Sequence, residues 1–170
     1  TKGNNVLANL DDDISPTTIG YMPDGGPTLN FDFPLDLSKE PSEYLDAAIT
    51  NLFYWNNIIH DFAYKYGFDE VSGNFQQNNY GRGGLGNDYV LAGAQDADGY
   101  NNAFFSTPPD GSRPYMSMLL WDETNPFRDG DLDASVIGHE YAHGISNRFT
   151  GGPANTSCLS NAEQMGEGWS

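Results

Sequence analysis

The sequence predicts an α+β fold. Three observations carry that expectation. Residues 42–68, SEYLDAAITNLFYWNNIIHDFAYKYGF, repeat apolar side chains at steps of three and four, the spacing of one helix face. Residues 89–121 hold short β-prone runs, YVLAGA, AFFS and YMSMLLW, the last two split by the turn-forming TPPDGSRP. A second helical run, residues 133–149, then carries two histidines four residues apart, His139 and His143.

Taken in order, residues 1–27 are rich in Asp, Gly, Pro and Thr and read as a loop-dominated arm. TLNFDFPLDL alternates, with Leu29, Phe31, Phe33, Leu35 and Leu37 on one parity. That fits an extended segment with one buried face, and Pro34 favours an edge position. In the long helix, Leu45, Ala48, Leu52, Trp55, Ile59, Phe62 and Tyr66 form the expected core stripe, Ser42 and Glu43 suit the start, and Gly67 suits the C-terminal cap. His60 reads as a structural histidine on this helix. RGGLGN is not a phosphate loop, because no Gly-Lys-Ser/Thr ending or helix follows. Asp131 and Asp133 suit the positive end of the second helix, and GGPANTS ends it.

The chain's 170 residues suffice for one domain with a real core. With 24 acidic against 7 basic residues the formal charge is −17, which argues against nucleic acid or an anionic membrane as partner. No apolar run of about 20 residues exists to span a bilayer. Cys158 is the single cysteine, so no disulfide within the chain supports the core. Asn155-Thr156-Ser157 is an N-glycosylation sequon, a weak sign of secretion.

The chemistry concentrates in GHEYAHGISNR. On a helix, His139 and His143 aim two imidazoles at one point, which suits zinc, and Glu140 stands where it can reach a water on the open coordination position as a general base. Two protein ligands are too few for a catalytic zinc. An extended HExxHxxGxxH motif would need Gly at 146 and His at 149, where this chain has Ser146 and Phe149. His60 has no spacing argument. Glu163 and Glu167 are the better candidates for a third ligand. Asp129, Asp131 and Asp133 mimic the start of a calcium loop, but its twelfth position would be Glu140, which cannot serve both metals; DADG at 96–99 is the other calcium candidate.

GHEYAHGISNRFTGGPANTSCL with QMGEGWS closely resembles the fungalysin-type metallopeptidases, secreted zinc endopeptidases related in active-site design to thermolysin. FYWNNIIHDFAYKYGF, GNFQQNNYGRGGLGNDYV, GYNNAFFSTPPDG and RDGDLDASVIGHE extend the resemblance along nearly the whole chain. It implies a thermolysin-like N-terminal lobe, with a mixed or antiparallel sheet, spanning residues 1–170 as the N-terminal half of a catalytic domain. It selects Glu167 as the third zinc ligand beside His139 and His143. It also makes NNAFFS the edge strand that pairs with an extended peptide or protein substrate, with Asn102 and Ala103 at the substrate-facing end. Ser146 and Cys158 are then not nucleophiles. The resemblance further implies an extracellular enzyme whose signal and propeptide precede Thr1. A C-terminal fragment of the same precursor is expected as a second chain in a heterodimer, completing the cleft; the alternative is an isolated zinc-binding module without activity.

Overall fold

The computed structural model describes residues 1–12, 18–163 and 165–170. Its elements are β1 (Val6–Leu10), α1 (Leu45–Lys65), β2 (Val90–Tyr100), β3 (Ala103–Ser106), β4 (Tyr115–Trp121), β5 (Arg128–Asp129), α2 (Ala134–Gly151) and α3 (Gly166–Trp169). The fold is α+β around one mixed sheet of order β1-β2-β4-β3. β1 and β2 run parallel with Val6 opposite Val90, and β2 and β4 run parallel with Leu91 opposite Tyr115. β3 turns back antiparallel on β4, placing Ala103 opposite Met118. β5 pairs with the far end of β4.

β1 corrects the expectation of a loop-dominated arm. VLANL is short, and Val6, Leu7 and Ala8 are all buried, so it shows no alternation. Strands in parallel ladders covered on both faces look like this. The converse correction concerns TLNFDFPLDL. Its alternation is real but it pairs with no strand, and Leu29 is 74% exposed. Alternation reports an extended chain and not its partners.

Helix α1 lies on β1 and beside α2. It starts at Leu45, after a 3-10 turn that takes up Pro41–Glu43. Its buried residues are Ala48, Ile49, Leu52, Asn56, His60 and Ala63, so the expected stripe holds in the first half and rotates away in the second. Phe62 and Tyr66 are exposed and pack on each other at 4.8 Å between ring centroids. The helix ends as Gly67 predicts. With φ at +101°, Gly67 donates its N–H to the Tyr64 carbonyl, and Phe68 donates to the Ala63 carbonyl. This pair of bonds is the Schellman closure, in which glycine avoids the strain of left-handed backbone.

The core joins Ile49 and Leu52 of α1 to Val90 and Ala92 of β2, Met116 and Met118 of β4, and Ile137 and Tyr141 of α2. Each large apolar side chain fully buried there contributes about 1.5–3 kcal/mol. This packing fixes α2 against the sheet, and α2 carries the candidate site. Among the described residues, no helix is long and apolar enough to cross a membrane.

Candidate metal centre

Helix α2 begins at a built cap. The Asp133 carboxylate accepts the N–H groups of Ser135 at 2.9 Å and Val136 at 3.4 Å, two donors that the first helical turn leaves unpaired. Asp131, expected beside it at the helix start, is instead fully buried one turn earlier, where its carboxylate accepts the Gln95 N–H at 3.1 Å. Burial, with Asp129 close by, pushes its carboxyl well above the usual range. From this cap α2 turns Ile137, Glu140, Tyr141, Gly144 and Arg148 inward. His139, His143 and Asn147, spaced by four, form the adjoining face.

Three side-chain atoms converge on that face. The Nε2 atoms of His139 and His143 lie 3.1 Å apart. The Oε2 atom of Glu167, in the single turn of α3, lies 3.0 Å from His139 Nε2 and 3.4 Å from His143 Nε2. Four ligands held tetrahedrally at zinc bond lengths of 2.0–2.1 Å lie about 3.3 Å from one another. The donor set and its spacing therefore fit a zinc ion. Glu163, the other carboxylate weighed, is exposed, and its backbone N–H bonds to Asn161. His60 sits apart, buried against Asn74 and Asp61.

Glu140 stands beside this triangle. Its carboxylate and the two imidazoles offer ligand atoms all within 4.8 Å of one another. Its Oε2 is buried and has no hydrogen-bond partner among the described residues. Burial lifts its carboxyl to about 7, with His139 opposing and Glu167 adding to the rise. Such an orphaned acceptor fits a water molecule held on a metal at the triangle.

Asn102 and Ala103 line the same cavity as His139, Glu140, His143 and Glu167, a space of about 470 Å³. β3 is the last strand of the sheet. The Asn102 carbonyl accepts from the Leu119 N–H, so by strand alternation Asn102 and Phe104 face β4 while the backbone groups of Ala103 and Phe105 face the open edge. The side chains divide as alternation requires: Phe105 turns to Phe75 and Tyr141, and Phe104 to Tyr115 on the other face.

Residues 1–170, the whole chain, match the fungalysin metallopeptidase family. The chain belongs to that family. It is 50% identical over 173 residues to the extracellular metalloproteinase mep of Aspergillus flavus, covering 99% of this chain and 27% of that protein. The corresponding protein of Aspergillus fumigatus is 48% identical, with 100% of this chain and 27% of its own length covered. Extracellular metalloproteinase 2 of Trichophyton tonsurans is 49% identical, with 99% and 27% covered. The chain thus spans about a quarter of the length of these relatives.

Within this fungalysin-family chain, other predicted positions separate from the centre. Asn155 is exposed beyond α2, with its Nδ2 donating to Cys158 Sγ at 3.1 Å. Ser146 donates its hydroxyl to the His143 carbonyl. Asp96, the first acid of the DADG candidate, is buried and accepts from Tyr115, Ser117 and the Asp98 N–H. Two neighbours of the centre escaped the sequence reading. Ser170 places its hydroxyl 3.1 Å from His143 Nδ1, where it can orient that imidazole, and nothing in the sequence marks it. Asn147 lines the cavity, and a signal for it existed: it continues the four-residue step from His139 through His143.

Proposed function

We propose that this chain is the N-terminal part of the catalytic domain of a secreted zinc endopeptidase, with His139, His143 and Glu167 as metal ligands and Glu140 as general base. The convergence of three donor atoms within 3.0–3.4 Å carries the reading. A zinc ion held by His139, His143 and Glu167 would supply Lewis acidity, polarising a scissile carbonyl and lowering the pKa of a water beside Glu140. Glu140 takes that water's proton as its oxygen attacks, and returns it to the leaving amine, so the carboxylate is regenerated with each cleavage. The backbone groups of Ala103 and Phe105 pair with an extended peptide and lay its carbonyl along the ligand face, with Asn102 at the end of the same edge.

The extracellular location follows the names of the relatives and suits an exposed sequon at Asn155. A second polypeptide, the C-terminal part of the same precursor, completes the far wall. The surface around α3 favours further protein covering it: Met165 and Trp169 are exposed large apolar side chains, and Glu167 is 79% exposed although its role demands a fixed position.

Zinc content and peptide hydrolysis, measured side by side, test the proposal. Glu140→Gln retains one zinc and loses hydrolysis, whereas His143→Ala loses both. Undiminished cleavage by the Glu140 variant would remove that residue from the mechanism. Native mass spectrometry addresses the second polypeptide: a complex heavier than the 18.6 kDa chain plus metal is expected.

A further inference from the structure

Three rungs join α2 to the strand that borders the cavity. At Gly144, an added Cβ would sit 2.6 Å from the Phe105 ring, so the helix backbone lies directly on that side chain. At Asn147, the Nδ2 donates to Thr107 Oγ1 at 3.0 Å. At Arg148, the Nε donates to the Pro108 carbonyl at 2.9 Å. The partners, Phe105, Thr107 and Pro108, run through the end of β3 and just beyond it.

The first and third rungs belong to the interior. Gly144 and Arg148 are buried and tie into Phe75, Gly73 and Asp88. The middle rung differs. Asn147 is only partly buried, and it lines both the cavity shared by His139, Glu140 and Ala103 and the neighbouring one reached past His143 and Glu167. It stands one helical turn beyond His143, so it is the helix residue nearest a metal ligand that bonds to the chain leaving β3.

We propose that Asn147 is a positioning residue for the reaction, which through Thr107 sets the distance and angle between the peptide-binding edge of β3 and the metal ligands of α2. This inference rests on the endopeptidase reading above. Its physical basis is the geometry of strand addition. A peptide paired with β3 lies about 4.8 Å from that strand, so it inherits whatever position the strand has. A misplacement of about 1 Å between a bound substrate and its catalytic groups costs up to about 100-fold in rate. Gly144 and Arg148 hold the helix and strand in contact, but neither residue is among those that line the cavity, whereas Asn147 is. The Asn147–Thr107 bond joins a cavity-lining residue of α2 to the chain leaving β3.

The experiment uses the complete zinc-loaded enzyme, including the polypeptide beyond this chain, and one extended peptide substrate. Asn147→Ala and Thr107→Val each lower kcat about tenfold while KM changes less than twofold, because alignment and not affinity is lost. Thr107→Ser, which keeps the hydroxyl, retains the wild-type rate. Zinc content and melting temperature stay at wild-type values in all three, which separates positioning from a merely structural role. Wild-type kcat in both Asn147→Ala and Thr107→Val overturns the inference. So does a loss of rate that tracks a loss of zinc. If the unmodified enzyme shows no zinc-dependent hydrolysis, the endopeptidase reading fails first and this inference falls with it.

Discussion

Arg148 and Asp88 meet inside the protein, guanidinium Nη1 to carboxylate Oδ2 at 3.5 Å, with neither side chain exposed. The same Nη1 donates to the Gly73 carbonyl at 2.9 Å, and Asp88 also accepts the N–H groups of Gln76 and Gly111. This network pins the C-terminal end of α2 to the segment before β2 and to the loop between β3 and β4. Replacing Arg148 by Ala leaves Asp88 buried without its cation, a change that costs about 3–5 kcal/mol. Chemical denaturation should show that loss, and a difference under about 1 kcal/mol would mean that the pair contributes little.

Gly144 predicts a second packing defect. A methyl group there would meet the rings of Phe105 and Phe75 at 2.6 and 2.8 Å. Gly144→Ala should destabilise by about 1–3 kcal/mol through overpacking. Shortening the opposing ring in the double variant Gly144→Ala with Phe105→Leu should recover part of it. Additive losses would show that the clash lies elsewhere.

His60 predicts a pH dependence. Burial lowers its pKa from the ordinary 6.5, with Asp61 partly opposing. The folded protein therefore binds the proton less readily than the unfolded chain. Its stabilising contribution is complete above pH 6.5 and is lost as the pH falls from there through the depressed folded value. Urea midpoints should drop between pH 7.5 and 5.5 by more in the wild type than in His60→Gln. Parallel curves for the two would exclude His60 as the source.

The choice of Glu167 over Glu163 is open to a direct comparison. Competition with a chelator should show Glu167→Gln weakening zinc binding more than about 100-fold, beyond the 10- to 100-fold typical of residues that only support a ligand. Glu163→Gln should remain within about twofold of the wild type. Equal effects would reject the assignment.

The sequence shows the centre of this site more clearly than its surroundings, for physical reasons. His139, Glu140 and His143 are chemically specific residues at a spacing that only a helix converts into convergence, so local reading suffices. Their third partner lies on a separate turn, and spacing alone leaves Glu163 and Glu167 equivalent; the family resemblance selects Glu167, and the fold brings it within 3.0 Å of His139. Polar core residues explain the rotated stripe of α1. Asn56 is buried with its Nδ2 donating to the Leu52 carbonyl at 3.0 Å and reaching Met116 Sδ, and no hydrophobic pattern registers such bonds. β1 is missed because this short strand is buried on both faces and has no polar alternation, and the Leu29–Leu37 segment misleads because it has the alternation without a neighbouring strand. The Asn147–Thr107 rung joins positions 40 residues apart and is fixed only by tertiary packing.

The open edge of β3 has a wider consequence. Through Ala103 and Phe105 it offers main-chain groups, which every polypeptide can match, so it discriminates by conformation more than by composition. For the peptide pairing proposed above, a target segment must first leave its own helix or sheet to lie there. Under the proposed endopeptidase function, vulnerability becomes a property of the target: compact proteins would survive until a stretch of chain works loose, and how often that local opening occurs would decide which of them is cut.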